Sequence, residues 1–225
     1  TNDELRELID KSKDLYYALY PKAKFREQKS EWQFPSGAKM WFTYLERDED
    51  VRRYQGQAYN WIGFDELTQY PTPFCWNYLT SRLRSEDPYL SATRSVRATS
   101  NPGGPGHGWV KAMFVDPAPE NTAFWARDME TSEVLRYPAT YPNGEPHPHA
   151  GKPLYQRKFI PAKVSDNPSL WKDGQYEKTL LGLPEAQRKQ LLEGDWNIAD
   201  GAAFPEFNKS IHTCKPFPIP NSWRR

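Results

Sequence analysis

Apolar residues at Leu5, Leu8, Ile9, Leu15, Tyr16 and Leu19 recur at the spacing of one face of a helix, with Asn2 or Asp3 able to cap it and Pro21 to stop it. The face predicts a helix packed on a sheet. Two aromatic-rich runs follow, Glu31 to Phe34 and Ala38 to Leu45, joined by Pro35-Ser36-Gly37 in the manner of a hairpin. Beyond a mixed-charge segment, Glu46 to Arg53, the run Trp61-Ile62-Gly63-Phe64 has no polar break, which predicts a strand buried on both faces. It ends abruptly in Asp65-Glu66. A helix is expected from about Thr72 to Leu83, started by Pro71-Thr72-Pro73. A second strand, Ser95 to Thr99, runs into Ser100-Asn101-Pro102 and the glycine-rich loop Gly103 to Gly108, with a helix opening at Trp109. Strand, polar tip and helix thus occur twice in succession. That alternation predicts an α/β fold with a mostly parallel sheet, whose ligand crevice lies at the carboxyl ends of the strands.

The pattern loosens between Asp116 and Pro168. Phe124 to Met129 and Arg157 to Val164 are expected strands, and the Pro/Gly/His-rich stretch Tyr137 to Pro153 between them is expected to be a surface loop. His147 and His149 sit there between prolines without a nearby set of cysteines or carboxylates, so they read as loop residues rather than metal ligands. Two short helices follow, about Gly174 to Leu181 and Pro184 to Leu192. From Gly194 the chain turns aromatic and proline-rich, as a linker would.

Composition narrows the class without naming a ligand. The 225 residues carry a net charge of +1, which gives no bulk pull toward nucleic acid or membrane. The 15% aromatic content and 21 prolines suit a packed domain with long irregular segments. No apolar stretch approaches the roughly 20 residues of a membrane span. Cys75 and Cys214, far apart, have no metal-ligand spacing and fit a reducing compartment.

The chemistry concentrates at the two strand tips. In nucleotide hydrolysis, one carboxylate at such a tip holds Mg2+ on the phosphates and its neighbour polarises the attacking water. Thr99, Ser100 and Asn101 bring hydroxyl and amide groups that can bond the water or a phosphate. A phosphate-cradling G-x-x-x-x-G-K-[ST] loop does not occur in the sequence. Gly103 to Gly108 enters a helix and could offer backbone N–H groups to an anion, but it lacks the Lys-Ser/Thr step; a strand-to-helix turn is the better account of it. Either the site works without such a loop, or the loop precedes Thr1.

NWIGFDELTQYP, RATSNPGGPGHGWVK, KFIPAKVSDNPSL and LLEGDWNIADGAAFPEF, in this order, make the chain resemble the large terminase subunit of tailed bacteriophages, the motor that packages DNA into capsids. The resemblance covers nearly the whole chain. It implies an additional-strand, catalytic-glutamate P-loop NTPase of the three-layer RecA type, here without its Walker A portion. It implies ATP and Mg2+ as cofactors, with Asp65 as metal ligand and Glu66 as catalytic base. Thr99, Ser100 and Asn101 would form the coupling motif that senses the γ-phosphate, and Arg53, beside Arg52, is the favoured transition-state arginine. Residues 1–193 would be the incomplete ATPase domain and 194–225 a linker toward a C-terminal endonuclease domain. The implied partners are double-stranded DNA, the portal protein, the small terminase subunit and further copies in a ring on the capsid, with no membrane, in the host cytoplasm during virion assembly. On this reading the isolated chain hydrolyses ATP negligibly. The Pro/His-rich loop and the basic helix at Gln187 to Gln190 are the expected faces for DNA or a partner.

Two other readings remain open from the residues alone. A helicase core would also pair Asp-Glu with a Ser/Thr motif on the next strand, but it needs a second motor domain with its own arginine motif, and nothing after Pro168 supplies one. A non-catalytic DNA-binding or assembly module would have no use for two adjacent carboxylates at a strand tip.

Overall fold

The computed structural model describes residues 2–198 and 213–214. The chain divides into two units, Thr1–Ala58 and Tyr59–Arg225.

The first unit is a helix on an antiparallel sheet. Helix α1 (Asn2–Leu19) ends before Pro21 and is followed by β1 (Lys24–Arg26), β2 (Glu31–Gln33) and β3 (Lys39–Trp41), in the order β1-β2-β3. The expected hairpin is β2–β3, closed by hydrogen bonds from Phe34 to Ala38 and from Gly37 to Phe34, with Gly37 at φ +87° where a side chain would be strained. Trp32, on the central strand, is fully buried. Its indole Nε1 donates to Ser12 Oγ at 2.9 Å, and Tyr16, Tyr17 and Phe25 pack around the ring. A buried indole N–H needs an acceptor, so Ser12 faces inward and the contact stripe runs Leu5, Ile9, Ser12, Tyr16. Leu8, Leu15 and Leu19, counted in one stripe by spacing, therefore lie outside it, 40 to 60% exposed.

In the second unit, β4 (Trp61–Phe64) pairs in parallel with β5 (Ser95–Ala98), Ile62 opposite Val96 and Phe64 opposite Ala98. The crossover carries α2 (Phe74–Thr80) and α3 (Pro88–Ala92), the latter capped by Asp87. After β5 the glycine-rich loop leads into α4 (His107–Val110), which opens two residues before Trp109 and continues as a wider turn, Lys111–Val115. Phe64, Leu67, Trp76, Trp109, Val110, Met113 and Trp196 form the core, with Ile62 and Val96 against it. The alternation of β4 corrects the expectation of a strand buried on both faces: Ile62 and Phe64 turn to the core, whereas Trp61 is 51% exposed and its ring lies over Gly63. Among the described residues the core packs on one face of the pair, and a face left open to solvent cannot bury its side chains.

Further along, β6 (Ala123–Trp125) and β7 (Gln156–Lys158) form an antiparallel pair, shorter than the two strands expected there. The excursion between them is tied by bridges Arg127–Val134, Arg136–Pro153 and Thr140–Pro146. Helices α5 (Pro168–Asp173), α6 (Gln175–Leu181) and α7 (Glu185–Arg188) follow, and a wide turn, Lys189–Glu193, completes the last expected helix. The fold is thus mixed α/β, but the mostly parallel sheet reduces, among the described residues, to one pair; the other two sheets are antiparallel. Only β4 and β5 are joined by a helical crossover, and strands without one return antiparallel. The proposed linker, 194–225, falls mainly outside the described residues. No helix among them is long and apolar enough to cross a membrane.

Candidate functional site

The parallel register sets Phe64 beside Ala98, so the residues after each strand emerge at the same level. The backbone ladder continues past both ends: Thr99 N donates to Phe64 O at 3.0 Å and Leu67 N to Thr99 O at 2.9 Å. Between these bonds Glu66 takes a left-handed conformation, φ +48° and ψ +58°, uncommon for a residue with a Cβ. The reversal drives Leu67 and Thr68 into the interior, 2% and 1% exposed, and leaves the side chains of Asp65 and Glu66 on the outer side.

The expected polar partners meet them there. Thr99 Oγ1 donates a short hydrogen bond to Asp65 Oδ1. Asn101 Nδ2 donates to Glu66 Oε1 at 3.1 Å. Asp65, Glu66, Thr99 and Asn101 are thereby brought into one cluster. Ser100 points the other way, down to Thr68: its Oγ accepts from Thr68 N and donates to Thr68 Oγ1, both at 3.0 Å. Thr68 Oγ1 in turn donates to Asn101 O at 3.0 Å, and Thr68 O accepts from Gly106 N at 2.8 Å. Every polar atom of buried Thr68 is therefore in use, and the backbone of Asn101 is fixed while its amide reaches Glu66. Thr68 was not visible as a site residue, because in the sequence it is one more polar residue after the acidic pair.

The glycine-rich loop turns its amides inward. Gly103 N donates to His107 Nδ1 at 2.9 Å and Gly106 N to Thr68 O, so these two N–H groups are not offered to an external anion. At Gly106 an added Cβ would lie 2.2 Å from Tyr70 O, the same carbonyl that accepts from Trp109 Nε1 at 2.8 Å. The loop is a fastened strand-to-helix turn rather than a phosphate cradle. His107, buried, stacks on Trp196 at 5.4 Å. Burial holds its imidazole below the usual range, partly offset by the bond to the Trp196 backbone, with Lys111 lowering it and Asp116 raising it. Neither His107 nor Trp196 announced this role in the sequence.

Arg53 lies in the first unit, at the end of a short helical turn, Asp48–Tyr54, beside Arg52. It is exposed, with Nη2 3.5 Å from Asp50 Oδ2 and Nε donating to Asp50 O at 3.2 Å. Backbone N–H groups of Arg47 and Glu46 hold Asp50 below the usual carboxylate range, with Arg53 adding to this. In the Pro/His-rich excursion, His147 stacks on Tyr137 with Tyr141 tilted against it, and its Nδ1 accepts from His149 N at 3.1 Å, contacts that tie the loop to itself.

Could the acidic tip hold a cation? Mg2+ keeps several waters and takes one or two carboxylates together with phosphate oxygens. An exposed carboxylate, Asp65, beside a half-buried one, Glu66, with a hydroxyl alongside matches that donor set. No group of three or more His, Cys, Asp or Glu among the described residues is placed to hold a metal by itself. The tip therefore fits a cation that arrives with other oxygen ligands.

Together these features define an α/β protein with a solvent-open carboxylate pair at the ends of two parallel strands. Residues 6–211 match the family described as terminase large subunit, T4-like virus type, N-terminal, and the chain belongs to that family. A role in packaging phage DNA follows from membership, with DNA and the packaging machinery as partners in general. No curated protein and no solved structure matches the chain.

Proposed function

We propose that the acidic tip is the catalytic half of an ATP-hydrolysing site in a DNA-translocating packaging motor, within a P-loop NTPase fold whose phosphate-binding loop lies in other sequence. The observation that carries this reading is the double contact between tips: Thr99 on Asp65 and Asn101 on Glu66. Asp65 would hold Mg2+ bound with the nucleotide. The ion, when bound, offsets phosphate charge as phosphoryl transfer proceeds. Glu66 accepts the proton of the attacking water. Asn101, donating to Glu66 Oε1, orients the carboxylate toward that water. Thr99 orients Asp65 in the same way, and Ser100 acts through Thr68, keeping the second tip in place. The 3₁₀-like turn at Arg53 offers an exposed guanidinium whose solvent-screened pairing with Asp50 is weak enough to be exchanged for a neighbouring copy's transition state. Endonuclease activity, the portal and small-subunit contacts and the ring assembly extend the same reading to the larger machine.

The experiment is ATP turnover and DNA binding measured together in a polypeptide carrying this chain and a Walker A loop. Glu66→Ala is expected to stop turnover and leave DNA binding intact; turnover unaffected by the substitution would favour a binding or assembly module. This chain alone is expected to hydrolyse ATP negligibly.

A further inference from the structure

Thr68 stands two residues after Glu66, 1% exposed and so closed to any reacting group. Three hydrogen bonds of 3.0 Å join it to the second tip: Thr68 N to Ser100 Oγ, Ser100 Oγ to Thr68 Oγ1, and Thr68 Oγ1 to Asn101 O. A carbonyl can only accept, so the Thr68 hydroxyl proton goes to Asn101 O and Ser100 is left to donate to Thr68. Asn101 is therefore gripped at two points from the first tip, its carbonyl by Thr68 and its side-chain amide by Glu66. These bonds close a ring: Glu66, Leu67, Thr68, Asn101 and back to Glu66. The left-handed Glu66, at φ +48°, is what lets the ring close. An extended backbone would put side chains 66 and 68 on the same side. With the turn, the Glu66 carboxylate meets Asn101 from the outer side and the buried Thr68 hydroxyl meets it from the interior.

We infer that Thr68 is a positioning residue for Glu66: its hydroxyl fixes the Asn101 carbonyl, and through the amide of the same residue it sets the direction of the Glu66 carboxylate. Pro102 makes the link stiff. A proline confines the residue before it to extended conformations, so a fixed Asn101 carbonyl also fixes the Cα–Cβ direction and where the amide can reach. The other contact of that carbonyl, Ser100 Oγ at 3.4 Å, comes from its own strand and cannot hold it against the first tip. Past the last ladder bond, Leu67 N to Thr99 O, the Thr68 side chain thus carries the alignment of the two tips as far as Asn101. The consequence for turnover rests on the hydrolysis reading; the ring itself does not.

The experiment compares Thr68→Val, which keeps the shape without the hydroxyl, with Thr68→Ser, which keeps the hydroxyl without the methyl. In NMR spectra of the 225-residue chain, the Asn101 side-chain amide and the Glu66 carboxyl carbon are followed together as the pH is lowered. An amide that donates to a carboxylate moves when the carboxylate takes up its proton. One shared midpoint is expected in the unsubstituted chain and in Thr68→Ser, and an amide indifferent to the Glu66 titration in Thr68→Val. Both variants should lose stability, and only Thr68→Val should lose the shared midpoint, a split that a merely structural Thr68 would not produce. In a polypeptide that also carries a Walker A loop, Thr68→Val should lower kcat by about 10- to 100-fold with KM unchanged, and Thr68→Ser should restore it. In the unsubstituted chain the Thr68 hydroxyl proton should exchange slowly with water, a check that needs no variant to fold. The inference is overturned by an Asn101 amide that still follows Glu66 in Thr68→Val or stops following it in Thr68→Ser, by a kcat that Thr68→Val leaves unchanged, or by a rapidly exchanging Thr68 hydroxyl. Failure of the hydrolysis reading would show separately, as ATP turnover indifferent to Glu66, and would leave these resonances as they are.

Discussion

Two layers of the same site differ in what they ask of their residues. The outer layer, Asp65, Glu66, Thr99 and Asn101, is solvent-facing and held by two side-chain hydrogen bonds. The inner layer, Thr68, Ser100, Gly106, His107 and Trp109, is largely buried, and its bonds run mostly between side chain and backbone. The inner layer gains stability from its contacts. The outer layer keeps one residue, Glu66, in a conformation that costs about 1–2 kcal/mol. Strain placed on the residue proposed as the base, over a hydrogen-bonded frame, separates holding from acting.

That separation can be broken by substitution, and the largest effect is expected at Gly106. Gly106→Ala drives a methyl into the Tyr70 carbonyl and should destabilise the chain by about 3 kcal/mol in a denaturant titration, the upper range for overpacking. Thr68→Val keeps the shape but removes the hydroxyl that joins Ser100 to Asn101, so the two part-buried bonds it makes are lost and stability should fall by about 1–2 kcal/mol. Glu66→Gly should move stability the other way, by about 1 kcal/mol, because glycine adopts the left-handed turn without strain. If Glu66→Gly destabilises instead, the strain assigned to the outer layer is not there. Acid gives a gentler probe of the inner layer. Since burial depresses the His107 imidazole in the folded chain, its contribution to stability is present above the unfolded value of about 6.5 and is lost as pH falls through the lower folded value. His107→Asn should flatten that part of the stability profile.

The outer layer was legible in the sequence and the inner layer was not. An apolar run that stops at Asp65-Glu66, and a second strand that runs into Thr99-Ser100-Asn101-Pro102, mark two strand ends, and their parallel pairing brings the named side chains together. Helix α1 up to Pro21 and the Pro35-Ser36-Gly37 hairpin were legible for the same reason, because periodicity and turn residues are local signals. The inner layer depends on partners distant in sequence. Thr68 bonds residues 32 and 33 positions away, and His107 is defined by Trp196. Which face of a strand is covered is likewise a tertiary fact, and so Trp61 and Gly63 were misjudged as buried. The leucines of α1 were misjudged similarly: hydrophobic spacing counts candidates, but the acceptor needed by the Trp32 indole chose Ser12. Short helices such as α3 and α5 carry too few residues for a periodic signal and went unseen.

The central claim is that Glu66 acts rather than holds. The direct measurement is Glu66→Gln in a polypeptide that also carries a Walker A loop, with ATP turnover and the denaturation midpoint determined on the same preparation. The account predicts turnover lower by about 10²- to 10⁴-fold, the range for removing a general base, with the midpoint unmoved. Unchanged turnover, or a midpoint that falls along with the rate, would contradict it.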